Sequence, residues 1–209
     1  MMNKSHHDQD NAEIPLQALG TKLDRSFYSR ETLIVARDLL GRCLVHWTPE
    51  GLAAGRITET EAYRGAADKA AHSYKGRTKR NAIMFGPGGF SYVYFIYGMY
   101  SCFNIVTRDV DQPEAVLIRA LQPLIGLEDM RKRRGKSAIE HLCSGPGKLC
   151  QAMGLDFRNH NGIDLCSDHL YLTEGEPVSD ACIQRTPRIN IAYAEEAALY
   201  PWRFVIGQC

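Results

Sequence analysis

Residues Phe90–Asn104 read FSYVYFIYGMYSCFN. Aromatic and β-branched residues run up to Tyr97-Gly98 and resume beyond it, which predicts two strands joined at a tight turn. Five of these fifteen residues are aromatic by the time the turn is reached, a density that a small core seldom needs. The two-residue period of a strand sets Tyr92 and Tyr94 on one face, and Tyr97 falls at or near the turn. An aromatic ring at a hairpin tip is beyond the reach of its own sheet, so its burial has to come from something else.

Two other stretches share this β character. In Gly55–Tyr63, GRITETEAY, alternation sets Ile57, Glu59, Glu61 and Tyr63 on one face and Arg56, Thr58, Thr60 and Ala62 on the other. Neither face is a clean apolar stripe. Two readings stand: a solvated edge strand with surface carboxylates, or a strand presenting a carboxylate and an aromatic ring into a polar pocket. In Ala115–Leu121, AVLIRAL, a buried strand carries one charge. A guanidinium at Arg119 with apolar residues on both sides is costly unless paired, and Glu59 and Glu61 are the candidate partners. The alternative is an edge strand whose Arg119 snorkels to water.

Between these strands lies His72, in a short helix or loop over Ala66–Ser73. Lys75-Gly-Arg-Thr-Lys-Arg80 follows, with four basic residues in six. A lone histidine is more often structural than catalytic, and a charge run is usually a solvated loop. Basic residues directly before an aromatic hairpin are nevertheless what a phosphate backbone with an accessible base requires. Met84–Gly89 is a turn-rich loop without the spacing or the Lys-Ser/Thr of a nucleotide P-loop. Ser144-Gly-Pro-Gly-Lys-Leu149 opens a helix with Pro146 early in its first turn. Exposed amides and Lys148 there suit a phosphate, although such a start is a weak signal alone.

The remaining pattern is that of one α+β domain with a curved, mostly antiparallel sheet flanked by helices. Ser29 reads as the N-cap of a helix carrying Leu33, Ala36, Leu39 and Leu40 and stopped by Gly41. Arg42–Trp47 reads as a strand, and Pro49–Gly51 as a turn. Ile125–Arg134 reads as a helix ending in a basic run, and Arg188–Tyr193 and Trp202–Ile206 as two more strands. Residues 1–20 are polar and unpatterned and read as a disordered tail, with His6 and His7 taken as incidental. That leaves 21–209 as the folded domain.

With 209 residues, 44% hydrophobic and 23% charged, the chain is long enough for a real core. No run approaches the roughly 18 apolar residues of a membrane span, and the first residues carry no apolar signal core. The expected setting is therefore the cytoplasm, without membrane association. Seven scattered cysteines without a Cys-x-x-Cys pair predict reduced thiols rather than a disulfide frame or zinc site. No metal and no cofactor is expected. A net charge of +1 means that an acidic partner has to be met by local patches.

Six stretches together resemble the alkyladenine (3-methyladenine) DNA glycosylase family: Glu59-Thr-Glu-Ala-Tyr63, Ala70-Ala-His-Ser73, Tyr92–Tyr100, Cys102-Phe-Asn104, Leu117–Leu121 and Ser144–Leu149. They run in order between about Leu23 and Val205, and the resemblance implies a single α+β domain with a curved antiparallel sheet and a protruding, DNA-intercalating β-hairpin. The resemblance implies that Glu61 is the general base activating the attacking water, which Arg119 and the backbone around His72 help to hold. It implies that Tyr63, His72 and Tyr94 line the pocket and stack on the extruded base. Tyr97 is then the intercalating wedge, and Asn104 clashes with the 2-amino group of guanine. Tyr92 and Tyr100 are left to packing, and Lys75, Arg77, Lys79, Arg80 and Lys148 are possible phosphate contacts. The implied partner is double-stranded DNA containing alkylated or deaminated purines, met by a monomer in the cytoplasm, at the nucleoid if the cell is bacterial.

The chemistry is consistent with that assignment. Cleavage of an N-glycosidic bond passes through an oxocarbenium-like sugar, with water attacking opposite the base. One carboxylate suffices when the leaving base is already cationic, as an N3- or N7-alkylated purine is. A second, acidic group is needed only for neutral leaving groups. A lysine nucleophile would instead imply a Schiff base and strand cleavage; the reading here is a monofunctional enzyme that uses water and leaves an abasic site. Two rivals are a non-catalytic nucleic-acid-binding module, indifferent to Glu61, and a hydrolase of free nucleosides, which has no use for Tyr97.

Overall fold

The computed structural model describes residues 14–136 and 138–207. Eight strands make one sheet: β1 (Cys43–Thr48), β2 (Gly51–Tyr63), β3 (Ser91–Ile96), β4 (Tyr100–Thr107), β5 (Glu114–Ile125), β6 (Leu170–Thr173), β7 (Ile183–Thr186) and β8 (Arg203–Ile206). Every pairing is antiparallel. In space the path is β3-β4-β5-β2-β1-β6, and β8 joins β2 and carries β7. The helices are α1 (Arg25–Tyr28), α2 (Thr32–Asp38), α3 (Leu127–Arg134) and α4 (Pro146–Met153). The α+β class and the curled antiparallel sheet are as the pattern predicts.

The long strand β2 organises the sheet. One edge pairs with β5; the other is shared, first by β1 over Gly51–Arg56 and then by β8 over Glu59–Glu61. At the change of partner the β2–β5 ladder is irregular on both sides. Ile57 faces Leu121, Glu59 faces Ala120 and Thr60 faces Ile118, leaving Thr58 and Arg119 as one extra residue on each strand. Two facing bulges restore the register but turn both strands over. Before them Ala53, Ile57 and Leu121 belong to the main core; beyond them Ala62, Val116 and Ile118 do. Thr60 shares that inner face, its hydroxyl donating to the Ala36 carbonyl at 2.8 Å. Glu59, Glu61, Tyr63 and Arg119 emerge on the opposite face. Unbroken alternation had grouped Ile57 with the two glutamates; the bulge at Thr58 sends it to the core instead.

The main core lies between this inner face and the helices, with Leu39, Leu44, Phe103 and Leu149 fully buried, each such side chain contributing about 1.5–3 kcal/mol. Helix α4 buries Leu149, Cys150, Ala152 and Met153 and leaves Lys148 and Gln151 in solvent, the one-sided pattern of a surface helix.

Several boundaries differ from expectation. Ser29 closes α1, whose cap is Asp24, while α2 is capped by Glu31, whose carboxylate accepts from the Ile34 N–H at 3.0 Å; the positive end of a helix favours an anion there. Gly41 has φ 84°, and a Cβ on it would lie 2.0 Å from the Glu176 carbonyl. The helix expected from Ile125 starts at Leu127, because Ile125 ends β5. Arg188–Tyr193 is not a strand. Pro187 precedes it, Asn190 has φ 60°, and the strand of this region is β7 instead. Most of the tail expected over 1–20, with His6 and His7, lies outside the described residues. Its last part, Leu16–Leu19, forms a 3-10 turn that buries Leu19 in a small core with Val45 and Tyr171, so packing begins before residue 21. Cys43, Cys102, Cys143, Cys150 and Cys166 are free thiols, but Cys182 is disulfide-bonded, which corrects the expectation of thiols throughout. Among the described residues no helix is long and apolar enough to cross a membrane.

Candidate active site

The face exposed by the two bulges becomes the floor of a cleft of about 430 Å³. The hairpin β3–β4 forms one wall, the start of α4 a second, and Ile189–Ile191 a third. Strand periodicity explains the first wall. Tyr92, Tyr94 and Ile96 line the cleft, whereas Val93 enters the main core and Phe95 packs on Phe157, ring centroids 5.0 Å apart.

Four charged side chains alternate in sign across the sheet beneath the cleft, of which Arg119 reaches its lining. Glu59 Oε1 accepts from Arg203 Nε at 2.6 Å and from Arg119 Nε at 2.8 Å. Arg119 Nη1 is 3.4 Å from Glu61 Oε1. Burial of Arg119 is thus paired, as its sequence setting required. The Glu61 side chain has no exposed surface. Its Oε1 accepts the Ile189 N–H at 2.8 Å, and its Oε2 accepts the Tyr63 hydroxyl at 2.8 Å. Burial, reinforced by the Glu61 charge, pushes the Tyr63 phenol well above its usual range, so it remains a donor. Glu61 therefore lies beneath the lining, behind Tyr63 and Arg119, rather than at the surface of the cleft.

Above this floor His72 sits edge-on to Tyr94, ring centroids 4.5 Å apart, and its Nδ1 is 2.8 Å from the Tyr92 hydroxyl. Packing around the imidazole, with the Arg80 charge, depresses its pKa. Tyr92 was assigned to packing alone; its ring is buried, but its hydroxyl orients His72. The His72 carbonyl accepts from Asn81 Nδ2 at 2.9 Å. The backbone N–H that meets the Glu61 carboxylate is that of Ile189. Asn104 is held in place by donating Nδ2 to the carbonyls of Tyr92 at 3.0 Å and Cys102 at 3.3 Å.

The hairpin tip departs from ordinary backbone. Tyr97 has φ 53° and Gly98 φ 69°, and the Met99 N–H closes on the Ile96 carbonyl at 3.2 Å, the pattern of a type I′ turn. Tyr97 is 75% exposed and lines the mouth of the cleft. Tyr100, also left to packing, is exposed on the same wall.

Basic residues are unevenly placed. Lys75, Arg77, Lys79 and Arg80 form an exposed loop beside the hairpin, where Arg80 lies over Tyr94 at 5.4 Å and Arg77 over Phe85 at 5.6 Å. Lys148 lines the cleft near the start of α4. The run Arg131–Arg134 is engaged within the protein: Lys132 pairs with Asp129, Arg133 donates to Ala152 O, and Arg134 donates to Leu142 O.

The structure thus brings Tyr63, His72, Tyr94, Tyr97, Asn104, Arg119 and Lys148 to one cleft, with Glu61 under its floor. The third wall, Ile189–Ile191 together with Tyr193, was missed. Its signal lay in Arg188, a charge between Pro187 and an apolar run, open to the same argument as Arg119. The Arg188 and Asp68 side chains are both 0% exposed and meet through two bonds, of 2.5 and 2.8 Å. Among the described residues no group of three His, Cys, Asp or Glu is placed to hold a metal ion.

A cleft lined by aromatic rings over a buried, hydrogen-bonded carboxylate suits a flat ring and an acid–base reaction. Comparison with known sequences gives the class: the profile of the family described as Methylpurine-DNA glycosylase (MPG) matches residues 26–209. The chain belongs to this family and is a DNA glycosylase, a hydrolase of DNA repair. A protein of Desulfitobacterium hafniense named "Putative 3-methyladenine DNA glycosylase" is 50% identical over 194 residues, spanning 88% of this chain and 95% of that one. One of the same name from Methanocella arvoryzae is 53% identical over 184 residues, spanning 87% and 90%.

Proposed function

We propose that the protein flips 3-methyladenine and related damaged purines out of duplex DNA and hydrolyses their N-glycosidic bond. The related bases are 7-methylguanine, hypoxanthine and 1,N6-ethenoadenine. The observation carrying this reading is the Glu61 carboxylate, buried with donors on both oxygens directly behind the aromatic lining. Glu61 acts as general base, taking a proton from water as the water oxygen bonds to the anomeric carbon. The C–N bond breaks and its electron pair leaves with the base; in an alkylated purine that pair neutralises the existing positive charge, and in neutral hypoxanthine or ethenoadenine the departing base takes a proton from solvent water. An intact strand with an abasic site remains. Arg119 holds the carboxylate and the water.

The extruded base stacks on Tyr63 and Tyr94, at roughly 1–3 kcal/mol per contact, and a cationic base gains more from electron-rich ring faces. Tyr97 enters the duplex and fills the gap, repaying part of a flipping cost of a few kcal/mol. Asn104, its amide already fixed by two carbonyls, opposes the 2-amino group of unmodified guanine; 7-methylguanine carries the same group and offsets that clash through its positive charge, which the electron-rich rings attract and which weakens its glycosidic bond. Lys75, Arg77, Lys79, Arg80 and Lys148 contact phosphates. The same reading has the folded chain act as one monomeric domain in the cytoplasm, at the nucleoid in a bacterial cell.

The test is release of free base from duplexes carrying each of the four lesions, by the wild type and by Glu61→Gln. Loss of release with DNA binding retained is the expected result for the variant. Unimpaired release by Glu61→Gln, or binding without release by the wild type, sinks the reading.

A further inference from the structure

Behind the cleft, the Arg188–Asp68 pair is fully buried. Such a pair is weak evidence of stabilisation, since well-packed apolar side chains often serve a fold as well or better. Its geometry indicates another task. Arg188 Nη1 donates to the Ala62 carbonyl at 2.8 Å and Nη2 to the Ala197 carbonyl at 3.1 Å, besides both Asp68 oxygens. Only Nε lacks a partner. These bonds fasten residue 188 between β2 and the 192–199 turn, and the next N–H, that of Ile189, donates to Glu61 Oε1. The same guanidinium lies 4.7 Å from the Tyr63 ring centroid and 5.0 Å from that of Trp202. Tyr63 supplies the donor to Glu61 Oε2. The two hydrogen bonds of 2.8 Å to the carboxylate, beside the Arg119 ion pair, therefore both hang from Arg188. Asp68 also accepts the Arg64 and Ala70 N–H groups, at 3.1 and 3.0 Å, on the segment that leads to His72.

We propose that Arg188 and Asp68 are positioning residues for hydrolysis: together they hold Ile189 N–H and Tyr63 OH on the two oxygens of Glu61, so that the carboxylate meets the attacking water in one orientation. The inference rests on the reading of Glu61 as general base. Orientation is worth testing because a misplacement of about 1 Å can cost about 10²-fold in rate.

Removing one partner strands a buried charge, so the informative variant is the double substitution Arg188→Met with Asp68→Asn, which leaves no charge behind. Single-turnover release of 3-methyladenine from duplex DNA should slow by about 10²-fold, while affinity for a duplex carrying an abasic-site analogue stays within about threefold. Arg188→Lys keeps the charge but loses the fork that spans Asp68 and the two carbonyls; it should fall between, and it is read by the same criteria if the double variant does not fold. A pair that only fastens the fold predicts wild-type release from any variant that melts cooperatively, and that result overturns the inference. Rate and affinity falling in parallel also overturns it. With Glu61→Gln inactive in the same assay, only the inference has failed; with Glu61→Gln fully active, the general-base reading fails with it.

Discussion

Replacing Tyr97 by glycine separates what the hairpin tip costs from what it does. Tyr97 and Gly98 both have positive φ, a turn whose two central positions favour Gly, Asn and Asp. A tyrosine in the left-handed region costs about 1 kcal/mol against glycine, and a ring 75% exposed recovers little of that by packing. Tyr97→Gly should therefore leave the free protein as stable as the wild type or about 1 kcal/mol more stable. Tyr97→Ala keeps a Cβ in the same backbone and should stay within about 0.5 kcal/mol. On duplex DNA both variants lose the ring that fills the gap. If that ring contributes about 2 kcal/mol, the flipped population falls by about 30-fold. The assay is single-turnover base release from a methylated duplex and from the same strand unpaired. A loss near 30-fold on the duplex and under about threefold on the single strand is expected, since an unpaired base needs no wedge. Equal losses on both substrates, or full activity on the duplex, refute the wedge. A lower melting temperature for free Tyr97→Gly refutes the strain argument.

Three further outcomes follow from the geometry. Tyr63→Phe removes the donor to Glu61 Oε2 and should cost about 1–3 kcal/mol of stability, read by urea titration, because a buried carboxylate oxygen is left unmet; unchanged stability would show that water replaces the hydroxyl. Burial holds His46 near pKa 4 and keeps His160 below its usual range, which suits a neutral relay in which His46 Nδ1–H donates to Met153 O at 2.8 Å and the two Nε2 atoms lie 3.2 Å apart. The unfolded chain takes up the proton near pH 6.5 and the folded one does not, so stability should fall as pH drops from about 6.5 towards 4, by about 3 kcal/mol from His46 with a smaller loss from His160 added; His46→Gln should flatten that slope in urea titrations, and an unchanged slope contradicts the assignment. Deleting Thr58 leaves Arg119 as an uncompensated extra residue and turns half of β2 to the wrong face; circular dichroism should show no cooperative melting, and a folded, active deletion variant would contradict the register.

Local pattern and the cost of a buried charge made much of this structure legible. The aromatic density and turn of Phe90–Asn104 located the hairpin, and the position of Arg119 demanded a carboxylate, which Glu59 and Glu61 supply. Periodicity could not reveal the bulge at Thr58, because a bulge is a property of two strands in register, and only the β5 partner defines it. The extended reading of Arg188–Tyr193 failed for a related reason. Arg188 is set by an ion pair with Asp68, 120 residues away, which no local propensity encodes. The task of Tyr92 was likewise hidden, because its hydroxyl meets a histidine that the intervening loop brings back across 20 residues.

The facing bulges at Thr58 and Arg119 have a consequence for how these two strands can change over evolutionary time. Each bulge is tolerated because the other compensates for it, so neither strand can gain or lose a residue there alone without moving a carboxylate into the core or a core residue into the cleft. Insertions and deletions that survive at this point of the ribbon should arrive as matched pairs, one in each strand, although some 60 residues of chain separate them. The loops at the far ends of the same strands, Pro49–Glu50 and Arg108–Pro113, are bound by no such bookkeeping, and length variation should collect there.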